Sequence, residues 1–587
     1  MNKIQYILFF VFIGLVGCQD DFLDKEPLDV ISDAVVWDDP ALIDAYLADL
    51  YARVDFMGIG GDNSETTHAM IAAMGGEGMS FGGHHSASKA STSVITSEGT
   101  PQDLDYWKYR NIRDCNYFLE KIAESALDPE LVDQRSSEVR FLRAYMYFQM
   151  VIRYGGLPII TEAQKVDDSE EAIFVPRNSE KEVYDFIIEE LDDIAEILPS
   201  EYSDVDKGRP SKWAALALQS RTALYAASIA KYGRVQTIPA SLGDLVLGFP
   251  TSDVEYYAQI SYDASSAIIG NGIHSLYEQI ADPAENFQNL FLDESSANKE
   301  VIMPVVYDYG LNRAHYFTHR ATPHDFSNSW ASLLYLYDFT ERFEFADGSP
   351  GTSISRSELT SQEWSPDEIW HNRDPRFRAT VFYPESPWQG GEVLFHKNTL
   401  RDGTMYSSGT SEDGWSYSAH RRNWLRTGLM VRKRCNENMT PEPERNDETD
   451  YIIFRVGEIY LNLAEAAYYL NKPAEALTAL NRLRQRAGMP PKTEINEAIL
   501  QNERLVELSW ENHSYWDIRR WRIAEDVLDG VRMKGCEYTY NYNTKKYKIS
   551  LKNAEGTERT FLDHNYYLPL GVDRVAENPN FVENPGY

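Results

Sequence analysis

The sequence predicts an all-α-dominated fold, in which paired helices stack into an α-α superhelix interrupted by an irregular, loop-rich inserted subdomain. Three observations predict it. Apolar residues recur every three or four positions through much of residues 40–270 and again over 452–487. The helical segments fall into pairs. Between the two helical stretches, residues 271–450 change character: short strand-like runs such as "EVIMPVVYDY" and "RATVFYP" alternate with many Gly, Pro, Asn and Trp residues.

The chain opens with Lys3 and an apolar run from Ile4 to Gly17. About 20 apolar residues are needed to span a bilayer, so this shorter run reads as a signal peptide, residues 1–17. It ends in Leu15-Val16-Gly17-Cys18, which resembles a bacterial lipobox. The resemblance implies cleavage before Cys18 and anchoring through its acyl chains, each buried CH₂ contributing roughly 0.8 kcal/mol. Gln19-Asp20-Asp21 resembles the surface-export signal of Bacteroidetes lipoproteins. No later run of 18 apolar residues occurs, so no transmembrane helix is expected beyond the signal.

Pro40 opens a first helix over 40–56, with Leu42, Ala45, Tyr46 and Asp49 at helical spacing. Residues 57–101 are rich in Gly, Ser, Thr and Met; so long a loop within a folded protein is a functional candidate. Helical periodicity returns at 105–126 and 136–154, where Gly155-Gly156 and Pro158 end it. Ser179 and Glu182 form a capping box for a helix to Leu198. The Ala-rich stretch 211–231 lets neighbouring helices approach closely, and 254–269 is its partner. At the C-terminal side, 452–470 and 473–487 form a pair around Asn471-Lys472, with Ala464 and Ala476 expected where the helices meet. This unit resembles a tetratricopeptide repeat. Four parts follow: signal peptide 1–17, N-terminal helical region 18–270, loop-rich subdomain 271–450 and C-terminal helical region 451–587.

Composition excludes several classes. With 43% hydrophobic and 25% charged residues, the chain is not disordered. A net charge of −35 argues against nucleic acid as a partner. Of the four cysteines, Cys18 is taken by lipidation. Cys115, Cys435 and Cys536 then allow at most one intramolecular disulfide, and no Cys-x-x-Cys pair supports a zinc site. The glycine-rich loop lacks the Gly-Lys-Ser/Thr of a phosphate-binding loop, and His84 and His85 read as solvated rather than metal-bound. No cofactor is expected.

The runs "CQDDFLDKEP", "EVRFLRAYMYFQMVIRYGGLPII", "RDPRF", "YIIFRVGEIYLNLAEAAYYL" with "ALTALNRLRQRAGMP", "NERLVELSWENHSYWDIRRW" and "YYLPLGVDRVAENPNFVENPGY" occur in that order. Together they resemble the SusD/RagB family of outer-membrane nutrient-uptake lipoproteins. The resemblance implies a tetratricopeptide-like frame and a surface-exposed, lipid-anchored binder of oligosaccharide or polysaccharide, with no catalysis. It also implies a partner: a TonB-dependent barrel that the binder caps as a lid. A peptide-binding or scaffold lipoprotein is the alternative, and a glycoside hydrolase a more distant one. No His-Glu-x-x-His pair is present, and 91 acidic residues make carboxylate pairs uninformative. Arg140 and Arg143 are expected to satisfy buried carboxylates or helix ends, and Trp510, Trp516 and Trp521 to be core.

Sugars offer a C–H face to aromatic rings and hydroxyls to polar side chains. A site therefore needs exposed aromatics beside polar groups on loops. The candidates are Phe81 and His84 in the glycine-rich loop, and Tyr307, Tyr309, Asn312, Arg313, Tyr316, Trp330, Trp388 and Trp415 in the loop-rich subdomain.

Overall fold

The computed structural model describes residues 36–56, 70–80, 90–101, 104–311, 313–323, 333–407, 426–439 and 446–587. Its frame is α1 (Pro40–Val54), α2 (Tyr109–Ala123), α3 (Pro129–Tyr154), α4 (Glu180–Ala195), α5 (Lys212–Tyr232), α6 (Val254–Gly270), α7 (Val456–Tyr469), α8 (Pro473–Arg486), α9 (Glu497–Glu507) and α10 (Ser514–Arg520). Asp39, Asp128, Ser179 and Ser211 each accept a backbone N–H at a helix start, and Ser179 with Glu182 completes the expected capping box. Among the described residues no helix is long and apolar enough to cross a membrane.

Consecutive helices stack in the order α3, α4, α5, α6, α7, α8, so α7 packs on α6 although the loop-rich region separates them in sequence. α5 is the reason the stack closes. Nearly every side chain from Ala214 to Ala230 is buried, as expected of a helix apolar all round, and small residues admit a neighbour on each side. Its polar residues are spent on those neighbours: Ser220 bonds Ser265 of α6 at 2.7 Å and accepts from Asn462 of α7 at 3.0 Å. Arg221 makes a two-pronged bond to Glu458 of α7, 2.6 Å on each arm. Arg140 and Arg143 of α3 meet at Glu190 of α4, at 2.7 and 2.6 Å, as the sequence expects.

Strands fill the other side: β1 (Gly78–Ser80), β2 (Val301–Val305), β3 (Leu333–Tyr335), β4 (Glu363–Trp364), β5 (Val381–Phe382), β6 (His396–Arg401), β7 (Thr404–Ser407), β8 (Met430–Val431), β9 (Tyr451–Arg455), β10 (Lys534–Asn541) and β11 (Lys546–Asn553). They form a four-stranded sheet β1-β3-β8-β5, a five-stranded sheet β7-β6-β10-β11-β4 and the pair β9-β2. The helix expected from residue 136 starts at Pro129, and the expected 57–101 loop holds a short helix at Met70–Met74 and the strand β1. The helix expected from Ile452 begins at Val456, because residues 451–455 pair with β2. The C-terminal region also carries the β10–β11 hairpin, whose alternation buries Cys536, Tyr538 and Tyr540 on one face.

Charged residues of the recurring motifs bind these layers together. Arg455, at the end of β9, reaches Glu300 (2.9 Å), Glu507 (2.7 Å) and Glu511 (2.7 Å). Arg376 of the "RDPRF" run reaches Asp374, Glu503 and Glu507 at 2.7, 2.7 and 2.9 Å. Arg486 also bonds Glu507. Trp510, Trp516 and Trp521 are core, as expected. Cys115, Cys435 and Cys536 are buried free thiols.

Candidate functional site

The site is built at one end of the four-stranded sheet and on the hairpin beside it. β1 is anchored from below. Leu336 donates to the Glu77 carbonyl at 3.0 Å, and the Trp510 backbone N–H donates to the Glu77 carboxylate at 3.1 Å. Gly78 is required there, since an added Cβ would lie 2.3 Å from the Trp510 ring and 2.4 Å from the Leu334 carbonyl. β1 then runs antiparallel to β3 with Gly78 opposite Tyr335 and Ser80 opposite Leu333. Ser80 and Leu333, after and before which the chain is not described, therefore lie at the same end of the sheet. β8 is antiparallel to β3, so the chain leaving Val431 does so at that end too, and Asn436 N–H then donates to Thr318 Oγ1 at 3.0 Å.

Thr318 belongs to the hairpin's base. Asp308 and Arg313 exchange backbone hydrogen bonds of 2.7 and 2.9 Å, closing a tip in which Tyr309 is 50% exposed and Leu311 74% exposed. Acidic side chains of 447–450 pin the hairpin: Asp450 accepts Tyr307 N–H at 3.0 Å, Glu448 accepts Tyr309 N–H at 3.2 Å and Asp447 accepts Thr318 N–H at 2.8 Å. His315 is buried behind the tip. Its Nδ1 accepts from Phe317 N–H (3.2 Å) and its Nε2 lies 2.8 Å from the Thr449 carbonyl. Burial pushes its pKa down, against the pull of Asp447, so it is a neutral brace. The Tyr307 ring stands edge-on to it, centroids 4.6 Å apart.

Tyr307 and Arg313 look onto a cleft of about 650 Å³, walled opposite by Asp44, Tyr51, Asp55 and Phe56 of α1 and its end, and by Lys207 and Arg209. Arg209 is held by Glu138 at 2.9 Å and Lys207 by Asp450 at 2.7 Å. A second hollow of about 200 Å³ adjoins it across Lys207, Gly208 and Pro304. The cleft sets the rings of Tyr51, Phe56 and Tyr307 beside acidic and basic side chains. No group of three or more His, Cys, Asp or Glu among the described residues is placed to hold a metal ion.

Of the predicted residues, Tyr307, Tyr309, Arg313 and Tyr316 come together on this one hairpin, with Arg320 stacked 5.6 Å from the Tyr316 ring. Trp388 is a correction. It is 0% exposed and its ring packs edge-on against Phe382 at 5.0 Å, so it belongs to the core. Phe81, His84, Asn312, Trp330 and Trp415 lie outside the described residues, as does Cys18. The segment bearing Trp415 rejoins the described chain at Arg426, and nearby Leu429 bonds Tyr335, at the opposite end of β3 from Leu333. Sequence reasoning missed Tyr51, Phe56, Lys207 and Arg209. Helical periodicity places Tyr51 on α1, but only the fold sets it facing Tyr307.

Stacked helix pairs carrying a loop-rich face define the class, and the chain belongs to the SusD/RagB family. The SusD family profile matches residues 299–587, and a second, described as "Starch-binding associating with outer membrane", matches residues 21–224. The chain is 23% identical to "SusD-like protein P25" of Formosa agariphila, covering all of both chains. It is 22% identical to a SusD-like protein of Bacteroides ovatus, covering 97% of this chain and 95% of the relative. Among solved structures, a SusD-like protein of Bacteroides fragilis superposes with a TM-score of 0.74 at 26% identity, covering 96% of this chain and all of that one. A SusD-like carbohydrate-binding protein of the same species gives 0.71 at 22%, over 93% of this chain and all of its own. A laminarin-binding SusD-like protein gives 0.62 at 19%, over 94% and 100%.

Proposed function

We propose that this protein is a cell-surface glycan-binding lipoprotein. It is anchored in the outer membrane through acylated Cys18 and delivers oligosaccharide, without cleaving it, to a TonB-dependent barrel that it covers as a lid. The observation that carries the reading is the Tyr307–Tyr316 hairpin. It holds an exposed Tyr309 and a cleft-facing Tyr307 and Arg313 on a braced base, beside the sheet end from which two further candidate segments depart. Rigidly held aromatics beside polar groups suit a pyranose face and its hydroxyls. The family profile described as starch-binding and the relatives named for carbohydrate and laminarin binding support the ligand class.

The test is calorimetry of the native protein against a panel of neutral and acidic oligosaccharides and of short peptides, with chromatography of each ligand afterwards. Binding with the ligand recovered intact is expected. Recovery of cleaved ligand would make the protein an enzyme, and binding of peptides in place of glycans would move it to another ligand class.

A further inference from the structure

Five charged side chains line the cleft between α1 and the hairpin: Asp44, Asp55, Lys207, Arg209 and Arg313. Four of them are committed or shielded. Asp44 accepts two bonds from Arg135, at 2.7 and 3.2 Å. Lys207 pairs with Asp450 at 2.7 Å. Arg209 pairs with the fully buried carboxylate of Glu138 at 2.9 Å and with Asp206 at 3.0 Å. Asp55, at the end of α1, is half-buried, and one of its carboxylate oxygens is sealed from solvent.

Arg313 differs from all four. It is exposed, and among the described residues its guanidinium enters no ion pair or hydrogen bond. Asp308, the acid across the hairpin from it, gives its carboxylate to the Leu311 N–H at 3.2 Å. The two backbone bonds with Asp308 fix where Arg313 leaves the hairpin. One braced turn therefore presents a free cation and the Tyr307 ring to the same cleft.

A guanidinium is planar and always charged, and its fork matches two oxygens of a carboxylate or a sulfate. A neutral sugar in the cleft displaces water from that group and returns no charge. An anionic sugar returns both the hydrogen bonds and the charge. The net charge of −35 opposes an approaching anion, but at physiological salt that field is screened over about 8 Å, so the nearest charges decide.

Resting on the glycan-binding reading above, we propose that this cleft selects anionic glycans, whose ring carboxylate or sulfate pairs with Arg313 while the sugar lies against Tyr307.

Calorimetry of the full chain against matched probes tests it: uronate-containing oligosaccharides with their carboxyl-reduced forms, and sulfated oligosaccharides with their desulfated forms. In one pair the acidic member should bind about fivefold or more tightly than the neutral one, and its affinity should fall as salt rises from about 50 to 300 mM. The pair that responds tells carboxylate from sulfate. R313Q should keep the native melting temperature, since the side chain is exposed, and should lose both the preference and the salt dependence without changing the affinity for the neutral member. R313K, which keeps the charge and not the fork, should recover part of the preference. Acidic and neutral members bound alike, or a preference that survives R313Q, would overturn the proposal and leave glycan binding standing. If no probe binds, the glycan-binding reading falls and this proposal with it.

Discussion

Ser80 and Leu333 are backbone partners at the end of the antiparallel pair β1–β3. The segment carrying Phe81 and His84 and the segment carrying Trp330 therefore join the folded body side by side, next to the hairpin of Tyr309. Tyr309→Ala and Trp330→Ala should each weaken oligosaccharide binding by about 0.5–1.5 kcal/mol, the scale of one aromatic contact, and leave the melting temperature unchanged. Trp388→Ala should do the reverse. It removes a core ring and should cost about 3–5 kcal/mol of stability. Calorimetry and thermal melting of the three variants check both halves. Native affinity in both Tyr309→Ala and Trp330→Ala would place the site elsewhere.

The two outcomes show what the sequence made legible. Caps and periodicity are local, so Ser179-Glu182 and the Ala-rich run of α5 were readable as written. Tyr451–Arg455 was not separable from α7, because an apolar run leading straight into a helix carries no mark of the pairing partner that makes it a strand. Trp388 sits among Pro387, Gly390 and Gly391, a loop-like setting. Its burial comes from Phe382 on β5, which no local pattern announces. The hairpin residues could be grouped from the sequence because they are close in it. Tyr51 and Arg209 could not, because only long-range packing brings α1 and the 207–209 turn to Tyr307.

Ala464 is fully buried and packs with Ala479, Leu480 and Leu500 where α7, α8 and α9 converge. Ala464→Trp should overpack that contact and cost on the order of 1–3 kcal/mol or more. The readout is a lower denaturation midpoint at unchanged slope. A native midpoint would contradict the packing.

Cys18→Ala should release the protein from the outer-membrane fraction of cells lacking the partner barrel, because acyl chains are the proposed attachment. In cells with the barrel, a mild-detergent pull-down through a C-terminal tag should recover it. Retention of the variant in the barrel-free membrane would contradict the anchor. Repeated recovery of the protein alone from barrel-expressing cells would contradict the partnership.

Acid should unfold the protein through its buried carboxylates. Burial acts to raise Glu507, but Arg486, Arg455 and Arg376 outweigh it and hold it well below the usual range. Glu465, likewise buried, is held at about 2, chiefly by Arg520. A depressed carboxylate contributes stability that is full above its unfolded pKa, about 4.3, and lost as pH falls toward its folded value. The contribution of these two carboxylates is therefore level near neutrality, and the denaturation midpoint should fall steeply below about pH 4. Glu507→Gln leaves three buried arginines short of a counter-charge and should cost about 3–5 kcal/mol at neutral pH. A midpoint that does not move would refute the network's role.

Glu77 should act with the opposite sign. It is fully buried beneath β1, and burial lifts its pKa to about 8 despite the Trp510 N–H bond and the nearby Lys433. A carboxyl raised in the folded state favours folding most below its unfolded pKa, and that contribution is lost as pH rises through about 8. Glu511, the other acid acting on Glu77, adds to the upward shift. Glu77→Gln keeps an oxygen for the Trp510 N–H and removes the ionisation. Its melting temperature should exceed the native value by the equivalent of about 1–3 kcal/mol at about pH 8.5, and the gap should narrow toward about pH 5. Because β1 carries the glycine-rich loop to Leu333, native oligosaccharide binding should also weaken as Glu77 ionises, and the variant should hold its affinity across that range. Parallel pH profiles for native and variant, in both melting and binding, would show that Glu77 does not titrate there.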